Sequence, residues 1–272
     1  MMPPEEGCPL CGAAIAGETE AERRAWLSAL RRRLGIVRLP PDLLLSVVVP
    51  VYNEEATIDE ILRRITETPV NKEVLVVNDG SSDGTADKLQ RWKDHPQVRI
   101  FEHSRNRGKG AALRTAFAEV RGDVVVIQDA DLEYDPSEYS ALLQPIVDGE
   151  ADVVYGSRFV SEGPHRVLYF WHYVANRIIT TLSNMFTDLN LTDVETCHKA
   201  FRREVVEAIR DTLKEDRFGI EIELTAKVAK RGYRIFETGV RYYGRTYQQG
   251  KKIGFRDALQ ALWCIVRYRI AN

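Results

Sequence analysis

The sequence predicts an α/β protein organised around a largely parallel sheet. Two patterns point there. Short apolar runs of strand type alternate with amphipathic stretches of helix type, which is how βαβ units read. Four polar clusters rich in Asp, Asn, Gly and Arg each follow directly on a strand-type run, where open α/β sheets bind ligands. At 272 residues, 44% hydrophobic and 29% charged, the chain can bury one sizeable core and has an ordinary globular composition.

The elements follow in order. Residues 44–49 form a continuous apolar run, as expected of a strand buried on both faces. The stretch 54–66 places Ile58, Ile61, Leu62 and Ile65 on one helical face. A strand at 73–77 precedes a helix at 83–92, with Ser82 or Asp83 as its N-cap. A strand at 98–101, a helix at 111–120 and a strand at 123–127 continue the alternation. Residues 136–147 read as a helix with proline in its first turn, and 153–155 as a short strand. The second half is more helical, over 166–186, 201–209, 221–230 and 255–268, with one strand at 233–243.

A formal net charge of -2 argues against a nucleic-acid partner. No apolar run approaches the ~18 residues of a membrane span. The N-terminus lacks an apolar signal core, so the expected compartment is the cytoplasm. Four cysteines in a chain this long do not make a disulfide framework. The expected organisation is an appendage over 1–40, a main domain over 41–253 and an amphipathic C-terminal helix over 254–272. The appendage holds Cys8-Pro-Leu-Cys11-Gly12, a charged helical stretch at 18–34, and Pro40-Pro41 as punctuation. Cys8 and Cys11 are half of a zinc-ribbon signature. Tetrahedral Zn²⁺ needs four ligands, so a second chain or a partner would have to complete the site. The appendage is therefore also where a homo-oligomer or partner contact is expected.

Chemistry concentrates in the four clusters. Pro50-Val51-Tyr52-Asn53-Glu54-Glu55 follows the first strand, and Asn78-Asp79-Gly80-Ser81-Ser82-Asp83-Gly84 the second. Arg105-Asn106-Arg107-Gly108-Lys109-Gly110 follows the third, and Gln128-Asp129-Ala130-Asp131-Leu132-Glu133 the fourth. One such cluster is a turn; four on one rim make a site. Alternate residues of an extended strand end point the same way, so Asp129, Asp131 and Glu133 are expected to converge. Their hard oxygens suit Mg²⁺ or Mn²⁺, with diphosphate oxygens completing the shell. Asp-x-Asp alone is more often a solvated acidic turn, and its place beside the other three clusters reverses the odds. Asp79 can accept from a ribose hydroxyl or base N–H, or simply serve its turn. Glu54 has the same two readings. Lys109, between two glycines at a helix start, is placed for phosphate, although the spacing is not that of a P-loop.

In order and spacing, Val49-Pro50-Val51-Tyr52-Asn53-Glu54, Asn78-Asp79-Gly80-Ser81-Ser82-Asp83-Gly84-Thr85 and Asp129-Ala130-Asp131-Leu132 resemble glycosyltransferase family 2, over roughly residues 44–255. The resemblance implies the GT-A fold of nucleotide-diphospho-sugar transferases, a mixed, mostly parallel sheet flanked by helices. It also implies inverting transfer from a GDP- or UDP-linked sugar with a divalent metal. Gly156-Ser157-Arg158-Phe159, Thr192-Asp193-Val194-Glu195-Thr196-Cys197 and Gly244-Arg245-Thr246 resemble the dolichol-phosphate mannose synthase branch. That branch implies a polyprenyl phosphate acceptor, dolichyl or undecaprenyl, at the cytoplasmic membrane face. By position, Pro50, Tyr52, Glu54 and Asp79 would then hold the nucleoside. Asp129, Asp131 and Glu133 would hold metal and diphosphate, although the branch often has Gln at the third. Arg158 and Arg245 would bind acceptor phosphate or diphosphate, where an arginine fork suits the geometry.

A phosphate monoester is already an oxyanion at neutral pH and needs only alignment. A hydroxyl acceptor, the main alternative, needs a base, and Asp193 and Glu195 are the candidates, with a partner for Arg158 as the other reading. A non-catalytic partner subunit is a further alternative, opposed by the complete acidic motif. The 166–186 helix has an apolar stripe of Leu168, Trp171, Ala175, Ile178, Leu182 and Met185, with Tyr169, Phe170 and Tyr173 near basic residues at one end. Such a stripe fits either a core or a membrane interface, and the resemblance favours the interface. Peripheral membrane association follows, assisted by Trp263, Ile265 and Val266 among Arg256, Arg267 and Arg269.

Overall fold

The computed structural model describes residues 39–160, 167, 169–245 and 255–270, together with 19 and 26. The chain divides into two compact units, Met1–Arg38 and Leu39–Asn272, and the second carries everything that follows. Cys8, Cys11, the 18–34 stretch apart from Thr19 and Trp26, Arg166, Leu168 and Thr246 lie outside the described residues.

The strands are β1 (Leu45–Val51), β2 (Lys72–Asn78), β3 (Val98–Glu102), β4 (Val124–Ile127), β5 (Val153–Ser157), β6 (Lys199–Arg202) and β7 (Ile235–Gly239). Among the described residues the α-helices are α1 (Ile58–Glu67), α2 (Thr85–Gln90), α3 (Lys109–Phe117), α4 (Tyr139–Val147), α5 (Phe170–Thr187), α6 (Arg203–Ile209), α7 (Ile220–Lys230) and α8 (Phe255–Ile270). The strands form one sheet in the order β3-β2-β1-β4-β6-β5-β7. β6 alone runs antiparallel to its neighbours β4 and β5. The other pairs, β1 with β2 and β4, β2 with β3, and β5 with β7, are parallel.

Apart from Ser46, whose hydroxyl donates to Glu73 (2.6 Å), β1 is apolar because both its faces are covered. Val48 packs with Ala112 and Leu113 of α3, Val205 of α6, Ile220 of α7 and Cys264 of α8. Val47 and Val49 pack on the opposite face with Ile58, Ile61 and Leu62 of α1 and Leu142 of α4. Strand order reverses between β1 and β4: β2 and β3 extend to one side, and every later strand lies on the other. Open sheets bind ligands at such a reversal.

Two elements differ from the sequence reading. Residues 199–202 are a strand rather than the approach to a helix, and α6 begins only at Arg203. Lys199-Ala200-Phe201-Arg202 has no run or alternation to read, and pairing on both sides fixes it. The strand expected at 233–243 is confined to Ile235–Gly239. On α5 the stripe faces largely outward: Trp171 is 75% exposed and Met185 73%, Leu182 is half-buried against the core, and Ile179, Thr180 and Ser183 are the buried face. Small polar residues pack that side, against α7 and α8. No helix among the described residues is long and apolar enough to cross a membrane.

Candidate functional site

The crevice opens where β1 and β4 part. Their register ends at Val48 opposite Ile127, and Gln128 N–H donates to the Val48 carbonyl as the last rung. Two residues on, Pro50 points its missing donor toward the same edge, where no ladder partner is lost. Tyr52 and Asn53 follow, half-buried, with Asn53 in left-handed backbone (φ 51°). Asn53 ties this loop to the one after β2, donating from its N–H to Ser81 Oγ (3.0 Å) and accepting from Ser82 N–H (2.8 Å). Glu54 N–H donates to Thr85 Oγ1 (2.9 Å). Asp83 accepts from Thr85 N–H (3.0 Å), which satisfies a donor of α2 much as an N-cap would.

Asp79 is 2% exposed, and its carboxylate organises the third cluster. It accepts from Arg107 N–H (3.0 Å), Gly108 N–H (2.7 Å) and His103 Nδ1 (2.6 Å). The structure thus gives it the work of a loop anchor. Gly108 (φ 101°) is essential to that loop, because an added Cβ would lie 2.3 Å from the Asp216 carbonyl oxygen. Gly108→Ala is expected to cost about 3 kcal/mol through positive φ and overlap, seen as a lower midpoint in urea unfolding. An unchanged midpoint would mean that the loop relaxes freely.

Lys109 does not form the phosphate cradle expected at the start of α3. The 215–216 backbone already covers that helix end, where Ala111 N–H donates to Asp216 O (3.2 Å). The ammonium turns inward instead, to Asp129 (2.8 Å) and Glu221 of α7 (3.1 Å). Glu221 in turn pairs with the fully buried Lys199, whose ammonium also lies 4.8 Å from the Tyr155 ring centre. Alternating charges thus run Asp129–Lys109–Glu221–Lys199 into the core. Burial disfavours ionised Asp129, but Lys109 outweighs it and holds the carboxyl below its ordinary range.

Asp131 has the opposite balance. Burial, then the charges of Asp129 and Glu133, raise its carboxyl to about 8 despite Arg245 nearby. The expected three-carboxylate cluster does not form. Leu132 is left-handed (φ 63°), so the extended alternation fails there and Glu133 swings away. Its carboxylate accepts from Tyr242 Oη (2.6 Å) and Arg245 N–H (2.6 Å). Among the described residues no three His, Cys, Asp or Glu side chains form a group able to hold a metal by themselves. Asp129 and Asp131 remain, two hard carboxylates, the first paired with Lys109 and the second raised by burial and its acidic neighbours. That donor set fits Mg²⁺ or Mn²⁺ completed by diphosphate oxygens and water.

Arg245 bridges the crevice. Its Nε donates to the Asp131 carbonyl (3.1 Å) and its Nη2 to Glu54 (2.7 Å), so Glu54 is a partner of the arginine. Arg158 is forked onto Asp193, with Nε to Oδ2 and Nη2 to Oδ1 both 2.7 Å, and lies 5.2 Å over the Tyr242 ring. Asp193 is fully buried and accepts a third side-chain bond from Asn176 (3.1 Å). It has no access to an acceptor, which removes it as a base. Glu195, two residues on, is half-buried, and its Oε1 makes no hydrogen bond among the described residues. Burial and Glu221 raise its carboxyl to about 7, against Lys199 and Arg158.

Sequence reasoning missed Glu221, Lys199, Tyr242 and His103. The available signal was charge out of place, namely a lysine opening an interior strand and a glutamate between isoleucines in Ile220-Glu221-Ile222.

A mixed, mostly parallel sheet with an Asp-x-Asp pair and two arginines around its strand-order reversal defines the GT-A class of nucleotide-sugar transferases. The model of glycosyl transferase family 2 matches residues 46–210, and the chain belongs to that family. It is 33% identical over 205 residues to glycosyltransferase AglD of Haloferax volcanii, an alignment covering 71% of this chain and 32% of that one. To polyprenol monophosphomannose synthase of Mycolicibacterium smegmatis it is 31% identical, covering 78% and 83%. The chain therefore spans about a third of the archaeal relative's length. Glucosyl-3-phosphoglycerate synthase from Mycobacterium tuberculosis, solved with Mn²⁺, uridine diphosphate and phosphoglyceric acid, shares the fold at a TM-score of 0.64 and 20% identity, over 90% of this chain and 82% of that one.

Proposed function

We propose that this chain transfers a hexose, with inversion, from a nucleoside diphosphate sugar to a polyprenyl phosphate at a membrane surface. The carrying observation is the burial of Asp193 beneath Arg158. A hydroxyl acceptor needs a base, and the residue at the expected position cannot reach one. A phosphate acceptor brings its own oxyanion. The Asp193 fork uses the Nε–Nη2 edge of Arg158, which leaves the Nη1 edge for a phosphate oxygen. The polyprenol monophosphomannose synthase relative supports the same acceptor class.

In this reading Pro50 and Tyr52 line the nucleoside subsite, and Asp79 shapes it by holding the 103–108 loop. Asp129 and Asp131 hold a divalent cation together with the diphosphate. That cation would offset the negative charge growing on the leaving diphosphate. Lys109 fixes Asp129 and Arg245 fixes the Asp131 backbone, so the acidic pair is in position before substrate arrives.

The test counts radiolabelled sugar in the organic phase, using a panel of sugar nucleotides, Mg²⁺ or Mn²⁺ and a polyprenyl phosphate in detergent. Label from one donor, lost with EDTA, is the expected result. Metal-dependent release of nucleoside diphosphate without organic label would discard the lipid acceptor. Glu195 favours a second reading, transfer to a hydroxyl, because burial raises its carboxyl to about 7 and its Oε1 makes no hydrogen bond among the described residues. Glu195→Gln separates the two. Transfer within about threefold of wild type supports the phosphate acceptor, and a loss of about 100-fold or more supports a base.

A further inference from the structure

Lys109 stands between two carboxylates. Its ammonium lies 2.8 Å from Asp129 Oδ1 in the crevice and 3.1 Å from Glu221 Oε1 on α7. At neither does it make an aligned hydrogen bond among the described residues. The Asp129 side chain is 19% exposed and that of Glu221 only 2%, so water reaches the crevice end of this row and not the α7 end. The other Glu221 oxygen, Oε2, pairs with Lys199, which is fully buried. The Lys199 ammonium also donates to the carbonyls of Val194 (3.1 Å) and Thr196. Glu221 is thereby fixed on its far side, with Oε1 turned toward Lys109.

The charges of Asp129, Lys109, Glu221 and Lys199 cancel, so the row is balanced by itself. With a divalent cation on Asp129 and Asp131, Lys109 faces two further positive charges across the carboxylate it holds. Like charges that close, in a site shielded from water, repel strongly. Lys109 then has to give up Asp129, and its way outward is closed. The 215–216 backbone lies over both glycines that flank it, where an added Cβ would stand 2.3 Å from Asp216 O at Gly108 and 2.1 Å from Glu215 O at Gly110. Glu221 Oε1 is the other carboxylate oxygen that the ammonium touches among the described residues. Without it, a buried lysine would be left to compete with the cation for Asp129.

We propose that Glu221 is a positioning residue for the cation site, which takes over the Lys109 ammonium when a divalent cation binds Asp129. Lys109 is the counter-charge that holds Asp129 beforehand, and Glu221 is the acceptor that releases Asp129 to the cation. Glu221 is buried, touches no substrate and acts through Lys109. The inference rests on the reading that Asp129 and Asp131 hold a divalent cation, and it is independent of which acceptor takes the sugar.

The experiment titrates the full chain with Mn²⁺ alone at pH 8 and follows free Mn²⁺ by electron paramagnetic resonance. Lys109→Met removes the competing ammonium and should tighten Mn²⁺ binding about fivefold or more. Glu221→Gln leaves Lys109 with Asp129 as its one carboxylate and should weaken Mn²⁺ binding about tenfold. A merely structural disturbance would weaken binding in both variants, so the opposite signs carry the test. Should Glu221→Gln fail to fold because Lys199 loses its counter-charge, the pair Glu221→Gln with Lys199→Met removes one charge of each sign and should weaken Mn²⁺ likewise. On a Lys109→Met background that pair should change Mn²⁺ affinity less than about twofold, as action through Lys109 requires. Weaker binding by Lys109→Met, wild-type binding by the pair, or an undiminished effect of the pair without Lys109 overturns the proposal. The same proteins are assayed for sugar transfer to polyprenyl phosphate in detergent. Shifts of the expected sign without transfer keep Glu221 in this role and discard the proposed acceptor. Wild-type transfer that EDTA abolishes, with the shifts missing, sinks the role of Glu221 and keeps the proposed function. Wild type that binds no Mn²⁺ overturns this inference and the two-carboxylate cation site together.

Discussion

Asp131→Asn is expected to lower sugar transfer about 100-fold or more while leaving the metal-free fold as stable as before, or slightly more so. The two effects have one cause. Burial and the charges of Asp129 and Glu133 raise the Asp131 carboxyl to about 8, so ionising it costs free energy that only a cation returns. A carboxyl raised in the folded state binds its proton more tightly there than in the unfolded chain. Its contribution to stability is therefore complete below the unfolded value near 4 and is lost as pH rises through about 8. Asparagine is an uncharged isostere and removes that loss. Urea unfolding at pH 6 and pH 9, with and without Mn²⁺, reads all of this. Wild type should gain stability from Mn²⁺, chiefly at the higher pH, and the variant should gain none. A variant that still transfers at the wild-type rate, or still gains from Mn²⁺, would remove Asp131 from the site.

The half of the chain from β1 to β5 was legible because its signals are local. Most strands there are built on a short apolar run, and each cluster closely follows its strand in sequence. What could not be read was pairing across the chain. Glu133 was expected beside Asp129 and Asp131 on the premise of extended backbone, which Leu132 breaks. Its actual partners, Tyr242 and Arg245, lie more than a hundred residues away. Lys109 was expected at an open helix end, but the 215–216 segment had to be placed before that end was seen to be covered. Periodicity on α5 gave a stripe without saying which way it faced. The side that packs inward is Ile179, Thr180 and Ser183, and short polar side chains carry little signal in a hydrophobic pattern.

The largest effect on folding should come from separating Arg158 and Asp193. Asp193→Asn leaves a guanidinium only 13% exposed without its counter-charge, and is expected to cost about 3–5 kcal/mol. Arg158→Ala should cost as much, since it strands a carboxylate with no exposure at all. The pair Arg158→Met with Asp193→Leu should recover much of the loss, because neither charge is then left alone. The pH dependence has the opposite sign to that of Asp131. Burial opposes ionisation of Asp193, but Arg158 outweighs it and depresses the carboxyl. Its stabilisation is present above the unfolded value and disappears as pH falls through the folded one, so Asp193→Asn should flatten the acid limb of the stability curve. Kinetics then separate positioning from proton transfer. If Asp193 only holds Arg158 toward an acceptor phosphate, Asp193→Asn raises KM for polyprenyl phosphate and leaves donor KM unchanged. A fall in kcat alone, with acceptor KM intact and a lost acid limb in the pH–rate profile, would return Asp193 to the role of base. It would also require the buried fork seen here to open during turnover.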